Sequence, residues 1–372
     1  MMRKNIERLT IKGFKSIKDL TAFPLGDINI VIGANGAGKS NFVQMFRMVH
    51  AMIRKGLQNY IATHGGAAAF LHNGLKATKV IEAEFNFGNN SYRFTLTPTT
   101  DEAFTISESR RYADYGWTLF SSGLKESRLE DERDDVSSFY GRGHGVGYYV
   151  YEAISRWVVY HFHDTSERAP MRQSEIVEDY ACLREDAANI APFLKALRED
   201  GPEGVKSYQM IVEAVRLVMP FFDDFTLTPV NFGPAQKVKL TWTQKGTDYP
   251  FQPYHLSDGA IRFICLATAL LQPRPPSTII IDEPELGLHP QAIAVLADLI
   301  KASSSRTQVI VATQSPILVD QFAVSDIIVA KRSGGATAFE RLDEKDYSEW
   351  LQDFTLGELW ARNVIDGGPI HE

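Results

Sequence analysis

The run Gly33-Ala-Asn-Gly-Ala-Gly38-Lys39-Ser40 restricts this chain more than any other feature. It follows an apolar segment, Ile28–Ile32, and precedes Phe42, Met45, Phe46, Val49, Met52 and Ile53, which recur at helical spacing. A G-x-x-x-x-G-K-[ST] pattern in that setting requires a strand, a tight glycine turn and a helix in succession. The glycines let backbone N–H groups turn onto a small anion, and the helix start adds the positive end of its dipole. Lys39 adds a point charge, and the Ser40 hydroxyl is suited to a divalent cation. Gly33, Asn35, Gly36, Gly38, Lys39, Ser40 and the adjoining Asn41 are therefore candidates for a phosphate cradle.

A second run, Ile279-Ile-Ile-Asp282-Glu283-Pro284, is an apolar strand that stops in two carboxylates. Buried charge is costly unless paired or bound to metal, so Asp282 is expected to hold a cation and Glu283 to polarise a water. Shortly before it, Leu256-Ser257-Asp258-Gly259 opens an apolar helix extending to Leu271. Ser257 can cap that helix, and the freed donors offer a second anion site; taken alone, an ordinary cap is the plainer reading. Thr278–Asp282, Val309–Ala312 and Ile327–Ala330 read as buried strands, with a helix over Gln291–Ala302. This alternation implies an α/β fold with a mostly parallel, covered sheet.

Elsewhere the pattern changes. Short strands such as Val80–Phe87 surround the first helix, so residues 1–95 read as one lobe and 251–372 as a second. Residues 96–250 read as an inserted, mainly helical subdomain, its helices interrupted by Pro170, Pro192, Pro202 and Pro220. The run Glu130–Asp135 reads as a solvated loop, as do the spaced glycines 141, 143, 145 and 147, and no heptads announce a coiled coil. Beyond Ala330 the chain reads as a strand and a closing helix with Tyr347, Trp350, Leu351 and Phe354 on one face.

The formal net charge of -7 argues against coating nucleic acid through overall charge, so any DNA contact is expected to be local. Arg3, Lys4, Arg8, Lys12, Lys15 and Lys18 near the start could supply one, or simply form a solvated basic face. Cys182 and Cys265 are far apart and have no metal-type spacing. With no apolar run of about 18 residues, neither secretion nor a membrane span is expected, and the cytoplasm is the expected compartment.

Together these motifs resemble the ABC-type ATPases, in the form found in RecF, SMC and OLD proteins. Ile11-Lys-Gly-Phe14-Lys15-Ser16 is similar to their first strand, Glu283-Pro-Glu-Leu-Gly-Leu-His-Pro290 to their Walker B and D-loop, and Ala312-Thr-Gln314-Ser-Pro316 to their switch strand. The tail Leu356-Gly-Glu-Leu-Trp360, with Asn363 and Gly367-Gly-Pro369, resembles stand-alone ATPases related to RecF. The resemblance implies an ABC-type head with an N-terminal antiparallel β portion, using ATP and Mg²⁺. It implies that Lys39 and Ser40 act in cis, Ser257 and Gly259 in trans across a homodimer formed through ATP, and Lys15 and Ser16 beside the nucleotide. Lys39, Glu283 and Gln314 would then be catalytic, with Ser40 and Asp282 on the metal. Relatives carry His at the switch position; the Gln314 amide cannot titrate.

A Q-loop is implied as well, and His163 in Val158–Asp164 is the candidate; His161 and His163 at alternate positions also leave open a metal or two plain strand histidines. The stretch beyond Ala330 is shorter than an independent domain of about 50 residues, so a Toprim nuclease is expected on a separate polypeptide. Asp223-Asp224 makes no convincing nuclease centre. An ATP-driven dimerisation switch in DNA maintenance or anti-phage defence is the leading reading. A transporter nucleotide-binding subunit, or a module that holds ATP without turning it over, is the alternative. The large insertion and the signature form count against the transporter.

Overall fold

The structure, a computed structural model, describes residues 5–134 and 144–368. Arg3, Lys4, Asp135, Gly141, Gly143 and Pro369 of the sequence reading lie outside them. A hairpin of β1 (Arg8–Phe14) and β2 (Ile17–Pro24) opens the fold, and β3 (Ile28–Ile32) runs into the glycine loop and α1 (Lys39–Ile53). The short helices α2 (Leu57–Thr63) and α3 (Gly74–Ala77) lead to β4 (Ile81–Phe87), β5 (Asn90–Pro98), β6 (Phe104–Tyr112) and β7 (Thr118–Leu124). After α4 (Leu129–Arg133) and α5 (Val146–Ile154), the chain returns to the centre as β8 (Trp157–Tyr160).

Next come β9 (Glu175–Ile176), the long pair α6 (Ile190–Glu199) and α7 (Gly201–Val218), and the short strands β10 (Phe222–Phe225), β11 (Val230–Phe232), β12 (Ala235–Val238) and β13 (Trp242–Gln244). The final part alternates α8 (Asp258–Leu271), β14 (Thr278–Asp282), α9 (Pro290–Ser304), β15 (Gln308–Thr313), α10 (Pro316–Val319) and β16 (Ile327–Ser333). It ends in β17 (Ala336–Arg341), α11 (Glu344–Tyr347) and α12 (Leu356–Ala361).

A six-stranded sheet of order β17-β16-β3-β15-β14-β8 is parallel throughout except for β17, and a second six-stranded sheet, β2-β1-β4-β5-β6-β7, is antiparallel. The parallel strands are apolar on both faces, and their two-residue period sorts side chains between two cores. Ile30, Ile32, Ile279, Ile281, Val309 and Val311 face the core shared with α8 and α9. Val31, Ile280, Ile310 and Ala312 face the other, with Phe42 and Phe46 of α1 and the antiparallel sheet. Fully burying a side chain of this kind contributes about 1.5–3 kcal/mol, so both layers hold the β3, β14 and β15 termini, where the chemistry sits, in fixed register.

Several expectations need correction. The boundary at 95/96 falls inside β5, and β6 and β7 continue the N-terminal sheet. Their alternation is hidden because β6 buries polar groups: Glu108 is 0% exposed and accepts hydrogen bonds from Tyr92 Oη (2.6 Å), Ser127 Oγ (2.5 Å) and Arg128 N (2.8 Å). From the same central region, β8 is an edge strand of the parallel sheet, paired with β14. The α-helices in the described part of residues 96–250 are α4 to α7, and two small sheets accompany α6 and α7. Residues 130–133 of the acidic run lie in α4: Lys55 Nζ pairs with Glu130 and Asp131, and Glu132 with Arg110 at 2.6 Å. The closing helix is broken into α11, a turn at 350–352 and α12, leaving Trp350 exposed while Leu356, Leu359 and Trp360 enter the core.

Candidate nucleotide site

At the end of β3 the glycine loop turns into α1 through Gly38, whose φ of 112° suits glycine. A Cβ there would run into Thr337 Oγ1 and stand 2.8 Å from Ser16 Oγ. That crowding is built: Thr337 Oγ1 lies 2.7 Å from both Ser16 Oγ and Ala37 O, and Asn41 Nδ2 donates to Ser16 Oγ at 2.8 Å. Ser16 therefore ties the β1–β2 turn, α1 and β17 together around the loop. Lys39 is buried, and its Nζ donates to Gly33 O at 2.6 Å and Ala34 O at 3.2 Å. Burial lowers the Lys39 pKa, against the opposing pull of Glu283, Asp282 and Glu285. Asn35, Gly36 and Ser40 remain exposed around it. Neighbouring Lys15 places Nζ 4.9 Å above the Phe70 ring, and burial lowers its pKa.

Parallel pairing aligns Asp282 with Ala312, which brings the carboxylate end of β14 against the switch segment after β15. Glu283 adopts φ 46°, strained for a non-glycine residue, with its N–H donating to Ala312 O at 2.7 Å. The Gln314 amide donates from Nε2 to Glu283 Oε1. Glu285, quoted in the motif without a role, accepts from Thr313 Oγ1 at 2.6 Å and Gln314 N at 2.9 Å. Burial raises the pKa of both Asp282 and Glu285. Asp282 Oδ1 is buried with no hydrogen-bond partner among the described residues. An orphaned hard oxygen of this kind, in a site that also holds the exposed Ser40 hydroxyl, fits Mg²⁺. His163 Nε2 lies 3.0 Å from Asp282 O, so the Q-loop candidate does reach Walker B. His161 donates its backbone N–H to Glu185 O at 3.1 Å, and burial lowers its imidazole pKa.

At the signature, Ser257 caps α8 by accepting from Ala260 N at 3.2 Å. Gly259 is needed for contact, since a Cβ would collide with Gly287 O of the D-loop. Two buried arginines brace this face. Arg172 donates from Nε to Thr165 O (2.9 Å), from Nη1 to Pro253 O and Leu256 O, and from Nη2 to Asp258 (3.0 Å). Arg262 donates from Nε to Phe162 O (2.9 Å), from Nη2 to His163 O (3.2 Å) and from Nη1 to Leu286 O. Arg262 thereby links signature helix, Q-loop candidate and D-loop in one residue. The structure does not bring Ser257 and Gly259 to the P-loop. They line a separate cavity of about 340 Å³ with Trp242, Gly287 and His289, and among the described residues no P-loop residue shares it.

Other charged candidates have partners away from the nucleotide site. Lys12 pairs with Asp19 at 3.8 Å; Arg216 Nη2 binds Asp223 at 3.3 Å; Tyr208 donates to Asp224 at 2.6 Å. Among the described residues no cluster of metal-ligating side chains occurs, and no helix is long and apolar enough to cross a membrane.

Known proteins resemble this chain in sequence and fold. An OLD nuclease of Thermus scotoductus is 22% identical over 333 residues, covering 85% of this chain, which spans 60% of that relative's length. The fold matches the Smc head bound to the C-winged helix domain of ScpA (TM-score 0.54, 17% identity, 92% of this chain and 99% of that one). It also matches the Smc head domain with an extended coiled coil bound to the C-terminal domain of ScpA derived from Pyrococcus furiosus (TM-score 0.56, 17% identity, 94% and 98%). Residues 28–320 match the family described as "AAA domain, putative AbiEii toxin, Type IV TA system". The chain belongs to that AAA-domain family, and its fold is of the kind found in Smc head domains.

Proposed function

We propose that this chain binds ATP at the P-loop, hydrolyses it, and uses the bound nucleotide to join two copies head to head. The observation that carries this reading is the meeting of Lys39, Asp282, Glu283 and Gln314 around one phosphate cradle, with the Asp282 oxygen left without a partner. Lys39 exchanges the Gly33 and Ala34 carbonyls for phosphate oxygens. Ser40 and Asp282 would hold Mg²⁺, which supplies positive charge against the phosphate oxygens. Glu283 accepts the proton of the attacking water as its oxygen bonds to the γ-phosphorus and the bond to the bridging oxygen breaks, releasing ADP and phosphate. Gln314, a donor to Glu283 here, orients that carboxylate and offers its N–H to the γ-phosphate.

Ser257 and Gly259 act on the nucleotide of the second copy, which their separation from the P-loop cavity supports. In the cell the switch serves DNA maintenance or anti-phage defence with a separately encoded Toprim-like nuclease. Supporting this is the likeness to an OLD nuclease over most of this chain. The test is phosphate release with Mg²⁺ and ATP, together with molar mass by light scattering. Turnover lost in Lys39→Ala, and an ATP-dependent doubling of mass lost in Ser257→Arg, are the expected results. Dimerisation of Ser257→Arg equal to the parent's would overturn the trans role.

A further inference from the structure

Neither the phosphate cradle nor the carboxylates account for the tail motif Leu356-Gly-Glu-Leu-Trp360 with Asn363 and Gly367-Gly. Thr355 caps α12 with a capping box, accepting from Glu358 N at 3.2 Å while Glu358 accepts from Thr355 N at 3.0 Å. At its first turn Gly357 lies against α10, the segment that directly follows Gln314-Ser315. A Cβ on Gly357 would stand 2.5 Å from Pro316 O, and the Gly357 N–H donates to Asp320 Oδ1 at 2.6 Å.

The far end of the tail grips the phosphate loop itself. Ala34 N donates to Gly367 O at 2.7 Å. Gly367 has φ 83°, and a Cβ there would stand 2.7 Å from Val329 Cγ1 and 3.0 Å from Ala330 O. Gly368 packs against Asn363, itself at φ 57°, and Lys331 Nζ holds Asp366 at 2.6 Å. Between these anchors Leu359, Trp360 and Ile365 are buried in the core. Trp360 and Ala361 also line a cavity of about 560 Å³ whose other walls are Gly33, Ala34, Asn35, Gln314 and Pro316. Trp360 is 5% exposed, and among the described residues its Nε1 has no hydrogen-bond partner. A buried donor without an acceptor is costly, so the indole is held in place by its packing while the residue lines the space between the switch segment and the P-loop.

We propose that residues 355–368 form a positioning element of the ATP site: anchored at Gly357 to the switch segment and at Gly367 to the phosphate loop, they set the distance between Gln314 and the cradle. Trp360, on the cavity wall between the two, registers the arrival of the nucleotide phosphates. This rests on the ATP reading above. Its consequence is that loosening the tail disturbs the reaction more than nucleotide binding, because misplacing a reacting-site group by about 1 Å costs on the order of 100-fold.

The experiment uses the full chain carrying 5-fluorotryptophan, with the Trp360 resonance assigned by Trp360→Phe. Asp320→Ala removes the Gly357 acceptor at an exposed position, and Gly357→Ala adds the obstructing methyl group by a second route. The Trp360 resonance is expected to move when Mg²⁺ and a non-hydrolysable ATP analogue are added to the parent. In both variants it is expected to be displaced beforehand, with kcat lowered about 10- to 100-fold and analogue affinity within about threefold of the parent. Parental kcat in both variants, or a Trp360 resonance indifferent to a bound analogue, overturns the proposal while the ATP reading stands. A parent that binds no nucleotide by calorimetry overturns both.

Discussion

Replacing Glu285 by Ala removes the acceptor that Thr313 Oγ1 reaches at 2.6 Å and Gln314 N at 2.9 Å. Hydrogen bonds to a charged group contribute about 1.5–3 kcal/mol each; the Thr313 hydroxyl, 0% exposed, would lose its acceptor while its oxygen still accepts from Ser315 N at 3.0 Å, at a cost of about 1 kcal/mol. Relief of a buried carboxylate with one unpartnered oxygen offsets part of this, so a net loss of about 2–4 kcal/mol is expected. If the chain unfolds as one unit, that lowers Tm by roughly 3–5 °C. Glu285→Gln keeps an accepting oxygen for both donors and is expected within about 1 kcal/mol of the parent. Thermal unfolding followed by circular dichroism separates the two variants, and phosphate release shows whether freeing Gln314 also slows turnover. If the Ala and Gln variants match in both Tm and kcat, Glu285 does not hold the switch segment.

Gly259→Ala puts a methyl group against the Gly287 carbonyl, and overpacking of backbone on backbone is expected to cost about 1–3 kcal/mol in unfolding experiments and to weaken ATP-dependent dimerisation. Burial raises the pKa values of Asp282 and Glu285, so their contribution to stability without nucleotide is present below the ordinary carboxylate range and is lost as pH rises through the shifted values. Binding of Mg²⁺ needs Asp282 ionised, so the cation's apparent affinity runs the other way and falls as pH falls. Calorimetric titration with Mg²⁺ and ATP across pH checks that sign, and Asp282→Asn is expected to flatten the dependence.

The glycine loop, the carboxylates that end β14 and the helix cap at Ser257 are legible in the sequence because each is a local run whose conformation is set by adjacent residues. Long-range partners are not. Arg172 and Arg262 carry no local signal, because their acceptors come from distant segments, including Pro253 and Asp258 for one and Phe162, His163 and Leu286 for the other. Glu285 shows the same limit: its partners, Thr313 and Gln314, meet it only when β14 and β15 pair. Strand β6 lacks a clean alternation because Glu108 faces inward, and Trp350 shares a helical period with core residues while lying on the surface. Thr337 and Ser16, which brace Gly38, are polar residues of different lobes joined only by the fold.

Hydrolysis at this site is tested most directly by Glu283→Gln, measured for ATP binding by calorimetry and for phosphate release under saturating Mg²⁺ and ATP. The amide keeps the size of the side chain and an oxygen to accept from Gln314, but cannot take the proton of water. The expected result is ATP affinity close to the parent's with phosphate release lowered about 100-fold or more. Parental turnover in Glu283→Gln would contradict the central claim.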